Sequence, residues 1–136
     1  MANQPIINRQ ALIPIIRATA GPIPVGRGVL FTGSYSSDGF PLVDVPSGAD
    51  GQIHGVTYES APDDSNVGYM LQAGLSNVQL RIGAAGVTFN DKLNLQDNTG
   101  VWQKAAAGAK NVYYVALQTK AAGQLCWAAP IASTSL

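Results

Sequence analysis

The residue types that carry out catalysis or bind metal ions are few in this chain. His54 is the only histidine and Cys126 the only cysteine among 136 residues. Protein sites for zinc and similar ions take several imidazole or thiolate ligands, which this chain does not have. A catalytic triad would need Ser60 or Ser76 with His54 and Asp44. The G-x-S-x-G sequence that exposes a nucleophilic serine is absent. We therefore expect no enzymatic activity.

Both single residues have simpler structural interpretations. His54 lies in a segment with strand character that also contains Val56 and Tyr58. On such a strand we expect a packed or hydrogen-bonded histidine rather than a base. Cys126 stands in an apolar run at 125–129, where a thiol packs as a small hydrophobic group. A reactive thiol would need nearby cations and exposure to solvent.

No other motif indicates a bound ligand. The sequence at 26–28 (GRG) lacks the third glycine of a dinucleotide-binding turn, and no G-K-S or G-K-T follows a strand. Segments 63–66 and 90–98 are rich in oxygen ligands but lack the spacing of a calcium loop. Eight basic residues are scattered among eight acidic ones, so there is no electrostatic footprint for nucleic acid. We expect no cofactor, no metal and no nucleic-acid partner.

The low charge of the chain indicates a component of an assembly. Only 12 % of the residues are charged and the net charge is zero, against about 25 % charged residues in ordinary soluble domains. A surface so poor in charge is typical of one that is covered by partner protein. No apolar run is long enough to cross a bilayer. The N-terminus lacks the basic region of a secretory signal, so we expect synthesis in the cytoplasm and no membrane partner.

The elements that must position these residues are predicted to be strands. Fifteen glycines and eight prolines are distributed along the chain and leave little room for helices. Segments with period-2 alternation or strand composition are separated by turn residues, at 26–32, 41–45, 52–59, 67–72, 77–82, 85–90, 91–95, 101–103, 111–118 and 124–129. This pattern predicts one all-β domain at 21–136, a small barrel or sandwich of about eight to ten short antiparallel strands.

Two strands and two turns are predicted in more detail. At 77–82 the apolar residues alternate with polar ones, which predicts a strand with one wet face. Segment 111–118 is apolar on both faces and is predicted to be a central strand. Asn90, Asp91 and Gly123 tolerate left-handed geometry and are predicted to form turns rather than to bind substrate.

The first twenty residues are predicted to form an extended arm. Pro5 and Pro14 each remove a ladder donor, which disfavours an interior strand. The arm carries six large aliphatic residues that would contact another subunit or the capsid: Ile6, Ile7, Leu12, Ile13, Ile15 and Ile16. The alternative is an edge strand of the domain's own sheet with a frayed end. Among the aromatic residues, Trp102 follows a turn and is the best candidate for an interface anchor, because tryptophan dominates binding hot spots. Most of the others are assigned to the core.

The order of several segments resembles the head decoration, or capsid cement, proteins of tailed bacteriophages. The resemblance rests on residues 21–29 (GPIPVGRGV), 53–60 (IHGVTYES), 86–93 (GVTFNDKL), 100–105 (GVWQKA) and 115–123 (VALQTKAAG). It implies a virion structural protein that binds the outer surface of a phage capsid and stabilises the shell. The implied partners are the major capsid protein and further copies of this chain, in a homotrimer.

A second class of function stays open on the sequence. The aromatic residues outside the core could instead form a platform for sugars, as in a carbohydrate- or receptor-binding β module on a virion surface. Such a module would bring Trp or Tyr together with Asp, Asn and Arg in one groove. A cement protein would spread its apolar contacts over a flat base and along an arm.

Overall fold

The chain forms ten β-strands and no helix within the residues that the computed structural model describes, 12–19, 21–49, 51–58 and 67–134. In chain order the strands are β1 (Leu12–Arg17), β2 (Gly28–Tyr35), β3 (Pro41–Asp44), β4 (Gly55–Thr57), β5 (Gly68–Gln72), β6 (Val78–Arg81), β7 (Lys92–Leu95), β8 (Trp102–Lys104), β9 (Val112–Ala116) and β10 (Leu125–Thr134). The prediction of an all-β fold with barrel and sheet character is confirmed.

The strands divide into a barrel and a sheet. Strands β1 to β5 close into a barrel in the order β1-β3-β2-β4-β5, and β6 to β10 form a sheet in the order β6-β10-β9-β7-β8. Neighbouring strands are antiparallel except β1 and β3, which run parallel. A single parallel bridge between Ile82 and Trp102 also joins the two edges of the sheet.

Most of the predicted strands are present, but segment 85–90 is not one of them. Its sole ladder contact in the described structure is a bridge between Val87 and Lys120. Gly86 has a φ of 69° and Asn90 a φ of 76°, so left-handed residues interrupt the extended geometry near both ends. The left-handed conformations predicted for Asn90 and for Gly123, with a φ of 80°, are confirmed.

The expectation that prolines keep residues 12–17 out of an interior ladder is wrong. β1 pairs with β5 on one side and with β3 on the other, and so closes the barrel. Pro14 lies opposite Tyr69 of β5, whereas the pairing with β3 begins only at Ile16. Pro14 therefore has a ladder partner on one side only, a position that a residue without an N–H tolerates. Residues 1–11, the rest of the predicted arm, lie outside the described residues.

Two groups of buried side chains hold the fold together. The inside of the barrel is filled by a small cluster: Ile15, Ile23, Val29, Val43 and Met70. A larger cluster joins the outer face of the barrel to the inner face of the sheet, with Val56 and Leu71 from the barrel and Leu80 and Leu93 from the sheet. The larger cluster thus packs the sheet against the barrel, and the burial of Val78, Leu80 and Ile82 confirms the predicted alternation of β6.

Two tyrosine hydroxyls of the central strand β9 also reach the barrel half of the chain. The Tyr113 hydroxyl accepts a hydrogen bond from the N–H of Ile53 at 3.2 Å, and the Tyr114 hydroxyl accepts one from the N–H of Gly74 at 3.4 Å. Burial raises the pKa of Tyr114 to about 12, and the bond from Gly74 partly opposes that rise. The hydroxyl therefore stays protonated at neutral pH. Each bond satisfies a backbone donor that the barrel strands leave unpaired.

An ion pair ties β1 to β3. The Nε of Arg17 lies 3.0 Å from Oδ1 of Asp44, and both side chains are about one-fifth exposed. Burial disfavours the charged form of Asp44, but hydrogen bonds from the Thr19 side chain and the Val45 N–H outweigh it. Together with Arg17 they hold the pKa of the carboxyl below its ordinary value.

We expect the protein to lose stability as the pH falls, because this carboxylate then becomes protonated. A carboxyl with a lowered pKa stabilises the fold above the unfolded-state value of about 3.9, and this contribution is lost as the pH falls through the folded-state value. Asp44→Asn should cost about 1.5 kcal/mol at pH 7, because hydrogen bonds to a charged group are lost. It should also flatten the decline below about pH 5. Urea unfolding between pH 3 and 7 measures both effects.

The matched control is Asp38→Asn, in the exposed turn that follows β2. An acid dependence that is the same in Asp44→Asn as in the parent protein would show that the ion pair contributes nothing to it.

Candidate functional site

The residues considered for a catalytic triad do not form one in the described structure. The Nδ1 of His54 accepts a hydrogen bond from the N–H of Phe31 at 3.0 Å, and the two rings stack with centroids 5.3 Å apart. In a triad this nitrogen would carry a proton and donate it to the acid. The carboxylate of Asp44 is instead paired with Arg17. The prediction of a hydrogen-bonded histidine is confirmed, and Ser60 lies outside the described residues.

We expect His54→Gln to leave function intact and to cost about 1 to 2 kcal/mol of stability. Glutamine has an amide oxygen that can accept a bond from Phe31, but it loses the ring stacking. The measurement is a thermal melt combined with whichever binding assay reports function. Loss of function in a fully folded variant would contradict the structural role and reopen an enzymatic one.

Cys126 is fully buried on β10, as predicted. Its sulfur lies 3.5 Å from the carbonyl oxygen of Gln118, and burial raises the pKa of the thiol. A buried thiol with a raised pKa is a poor nucleophile. The described residues contain no cluster of three metal-ligating side chains. They form no helix, and therefore no helix that could span a membrane.

Trp102 is not an interface anchor in the folded chain, and that prediction is wrong. Its side chain is 0 % exposed and packs edge-on against the Tyr114 ring with centroids 5.5 Å apart. A Cβ at Gly28 would lie 3.3 Å from the indole, so Trp102 packs where barrel and sheet meet. Its position after a turn suggested exposure, but the turn folds back and the first residue of β8 points inward.

The predicted contact residues of the arm are divided by the structure. Ile15 and Ile16 are buried in the chain's own fold, whereas Leu12 and Ile13 are partly exposed and pack on the two cores. Ile6 and Ile7 lie outside the described residues. A contact of the arm with a partner therefore remains a prediction for residues 1–11 and for the exposed parts of Leu12 and Ile13.

Most of the large apolar side chains that face solvent were not among the predicted contact residues. Among the described residues they are Tyr35, Tyr58, Tyr69, Leu75, Phe89, Leu117 and Trp127. Sequence reasoning placed Trp127 in a buried run and so missed it. The available signal was the strict alternation of β10, in which Cys126 and Ala128 point inward and Trp127 must point outward.

Two of these residues, Tyr58 and Trp127, line a groove of about 310 Å³ between the barrel and the sheet. One wall is formed by residues 56–58, at and just after the end of β4, and the other by residues 77–79, just before and at the start of β6. Leu71, Val25 and Trp127 complete the lining. The groove thus joins aromatic, aliphatic and amide side chains from both halves of the fold.

Gly26 fixes the relative position of the two walls. Its N–H donates to the carbonyl oxygen of Thr57 at 2.9 Å, and its own carbonyl oxygen accepts from the N–H of Arg81 at 2.9 Å. The residue has a φ of 86°, and a Cβ there would lie 2.7 Å from the Arg81 nitrogen. Only glycine fits this position, which connects the barrel directly to the edge of β6.

A second exposed apolar surface covers the outer face of β9 and β10. Leu117 lies opposite Trp127, to whose carbonyl oxygen it donates a hydrogen bond at 2.8 Å, and Val115 pairs with Ala129. We call these four residues the outer sheet face. All four are at least partly exposed and none is charged.

Comparison with solved structures identifies this arrangement of barrel and sheet. The chain is similar to the N base of the head fiber protein gp8.5 of bacteriophage phi29, with a TM-score of 0.64 and 15 % sequence identity. The match covers 92 % of this chain and 98 % of that one. No protein-family model and no curated protein matches the chain. The chain therefore has the fold of a phage head fiber base.

Proposed function

We propose that this protein is a structural component of a phage virion that binds the outer surface of the capsid and stabilises the shell. Its partners are the major capsid protein and two further copies of itself in a homotrimer. It is made in the host cytoplasm and resides on the surface of the assembled head. The single observation that carries this proposal is the fold shared with the phi29 head fiber base over nearly the full length of both chains.

The composition supports the same function. A protein that occupies many equivalent sites on a shell binds through area and shape, and charged residues are depleted at the centres of such interfaces. The low charge of the chain and its apolar outer sheet face are consistent with this requirement. We assign the outer sheet face to the contact with the capsid or with a neighbouring copy, because its four residues are uncharged, at least partly exposed and adjacent on the paired strands β9 and β10 or directly after β9.

Binding to capsids tests the proposal directly. The purified protein should cosediment with phage heads that lack it, and electron microscopy of the decorated heads should place it on the outer surface. Decorated heads should withstand a higher temperature before they release their DNA. A protein that neither cosediments with the heads nor appears on them would overturn the proposal.

Leu117→Asp examines the assigned contact face. The substitution places a charge on the outer sheet face, where Leu117 is 38 % exposed, and should abolish cosedimentation without unfolding the protein. Leu75→Asp is the matched control, since Leu75 is also exposed and lies in the turn between β5 and β6. If Leu117→Asp cosediments with capsids as well as Leu75→Asp does, this face is excluded as the contact. The virion function itself is tested separately, by cosedimentation of the parent protein.

One observation favours the second class of function, a carbohydrate- or receptor-binding module. The groove between Tyr58 and Trp127 joins two aromatic rings and two amide side chains, as a binding module would. Among its described lining residues there is neither the Asp nor the Arg that such a module was also expected to show. The groove and the outer sheet face share Trp127 and differ in their other residues, so the two functions would exclude each other in a copy whose outer sheet face is covered.

A further inference from the structure

Within the described ranges 12–19, 21–49, 51–58 and 67–134, the residues that line the groove are uncharged. The lining is formed by Val25, Val56, Thr57, Tyr58, Leu71, Asn77, Val78, Gln79 and Trp127, with no Asp, Glu, Lys, Arg or His among them. A phosphate, a nucleic acid or a charged peptide would lose its hydration in such a groove without gaining an ion pair. The complementary ligand is therefore neutral. The volume of about 310 Å³ lies at the lower end of the range for small-molecule sites, about 300 to 1,000 Å³.

The two aromatic side chains of the groove come from different halves of the fold. Tyr58 follows β4 directly, and its N–H donates to the carbonyl oxygen of Tyr69 on β5 at 2.9 Å. Tyr58 lies on the same face of the barrel as Val56. The sheet covers Val56, whereas 55 % of Tyr58 is exposed. Trp127 stands on the outer face of β10 and is 44 % exposed. Both rings therefore border the groove and reach solvent.

Two side-chain amides in the groove, those of Asn77 and Gln79, have no hydrogen-bond partner among the described residues. Gln79 is the cross-strand neighbour of Trp127 in the β6–β10 ladder, so its side chain stands beside the indole. Asn77 precedes it on the same strand edge, and both side chains are exposed. The Thr57 hydroxyl is already occupied, because it donates to the carbonyl oxygen of Pro24 at 2.7 Å. An amide offers both a donor and an acceptor, which suits a ligand rich in hydroxyl groups.

We propose that this groove binds a neutral saccharide. One face of a pyranose ring carries C–H bonds with partial positive charge, which pack against the negative face of an aromatic ring. Its hydroxyl groups can bond to the amides of Asn77 and Gln79. Binding of a saccharide by the isolated chain does not depend on the virion function.

Tryptophan fluorescence provides the test, because Trp127 borders the groove while Trp102 is buried. The probes are glucose, galactose, mannose, N-acetylglucosamine and the disaccharides cellobiose, lactose and chitobiose, with glucuronic acid as a charged probe. We expect at least one neutral probe to change the emission in a saturable manner with a millimolar dissociation constant. Glucuronic acid should bind more weakly.

Substitutions then locate the site. Trp127→Ala removes the emission change itself, so its binding is measured by ligand-observed NMR. It should weaken binding about twofold to twelvefold, the effect of losing one aromatic contact of about 0.5 to 1.5 kcal/mol. Gln79→Ala should weaken binding by a similar factor. The matched control is Tyr35→Ala, which removes an exposed aromatic ring on β2, outside the groove, and should bind as the parent protein does.

Three results would overturn the proposal. The first is the absence of saturable binding by every neutral probe at tens of millimolar concentration. The second is unchanged binding in a folded Trp127→Ala protein. The third is saturable binding of a synthetic peptide of residues 1–11 in place of the saccharides, which would make the groove a docking site for the N-terminal segment of a neighbouring copy. None of these results bears on cosedimentation with capsids.

Discussion

Deletion of residues 2–18 is expected to unfold the barrel rather than to release a folded domain. The deletion removes β1, which pairs with β3 and β5 and closes the barrel. It also removes Ile15 and Ile16, whose burial contributes about 1.5 to 3 kcal/mol each. The total stability of a domain is about 5 to 15 kcal/mol, so the loss is a large part of it. Two strand edges without a partner then favour aggregation.

Deletion of residues 2–10 is the matched control, because it leaves β1 complete. We expect this variant to melt close to the parent protein, whereas the longer deletion melts far lower or is insoluble. A variant without residues 2–18 that melts like the parent protein would contradict the closed barrel. If the shorter deletion folds but no longer binds capsids, the arm proposed to contact a partner is restricted to residues 1–11, with Ile6 and Ile7 as its large apolar side chains.

Trp102→Ala is expected to destabilise the protein by about 3 to 5 kcal/mol, the usual cost of truncating a buried tryptophan. The indole is fully buried, packs on Tyr114 and lies where barrel and sheet meet. Because these surroundings are held by strands on both sides, the cavity left by the substitution cannot collapse completely. Urea unfolding followed by far-UV circular dichroism measures the loss.

Trp127→Ala removes the same side chain from an exposed position and is the matched control. We expect it to cost less than about 1 kcal/mol, as surface substitutions away from special features do. Equal losses in the two variants would show that Trp102 is not the core residue described above. If folded Trp102→Ala retained full stability and lost capsid binding, the indole would have to be accessible after all, as the sequence suggested.

The pattern of glycine, proline and alternating apolar residues was sufficient to predict the class of fold and most of the strands. These signals are local, because a turn needs particular residues at particular positions and a strand shows its faces with period 2. The left-handed Asn90, the alternation of β6 and the two-sided apolar pattern of β9 are all of this kind. The prediction of a strand at 85–90 was wrong because two left-handed residues lie within a segment whose composition otherwise suits a strand.

The candidate sites were predicted poorly, and the reason is equally physical. Trp102 and Trp127 both lie in short strand-like segments, and nothing local states which of them another layer covers. Pro14 disfavours an interior ladder by itself, but it is accommodated because the pairing of β1 with β3 starts beyond it. The groove depends on residues that are up to about 100 positions apart in sequence, from Val25 to Trp127.

The sequence by itself determined what each segment could become: which segments form strands and with which faces, which residues form turns, and that charged residues are few. The tertiary structure alone decided which strands meet. Closure of the barrel by β1 placed Ile15 and Ile16 in the core, and the packing of the sheet on the barrel covered Trp102 but left Trp127 and Tyr58 exposed beside one groove. Burial is a property of contacts between distant segments, so a local pattern identifies a face of a strand but not the layer that covers it.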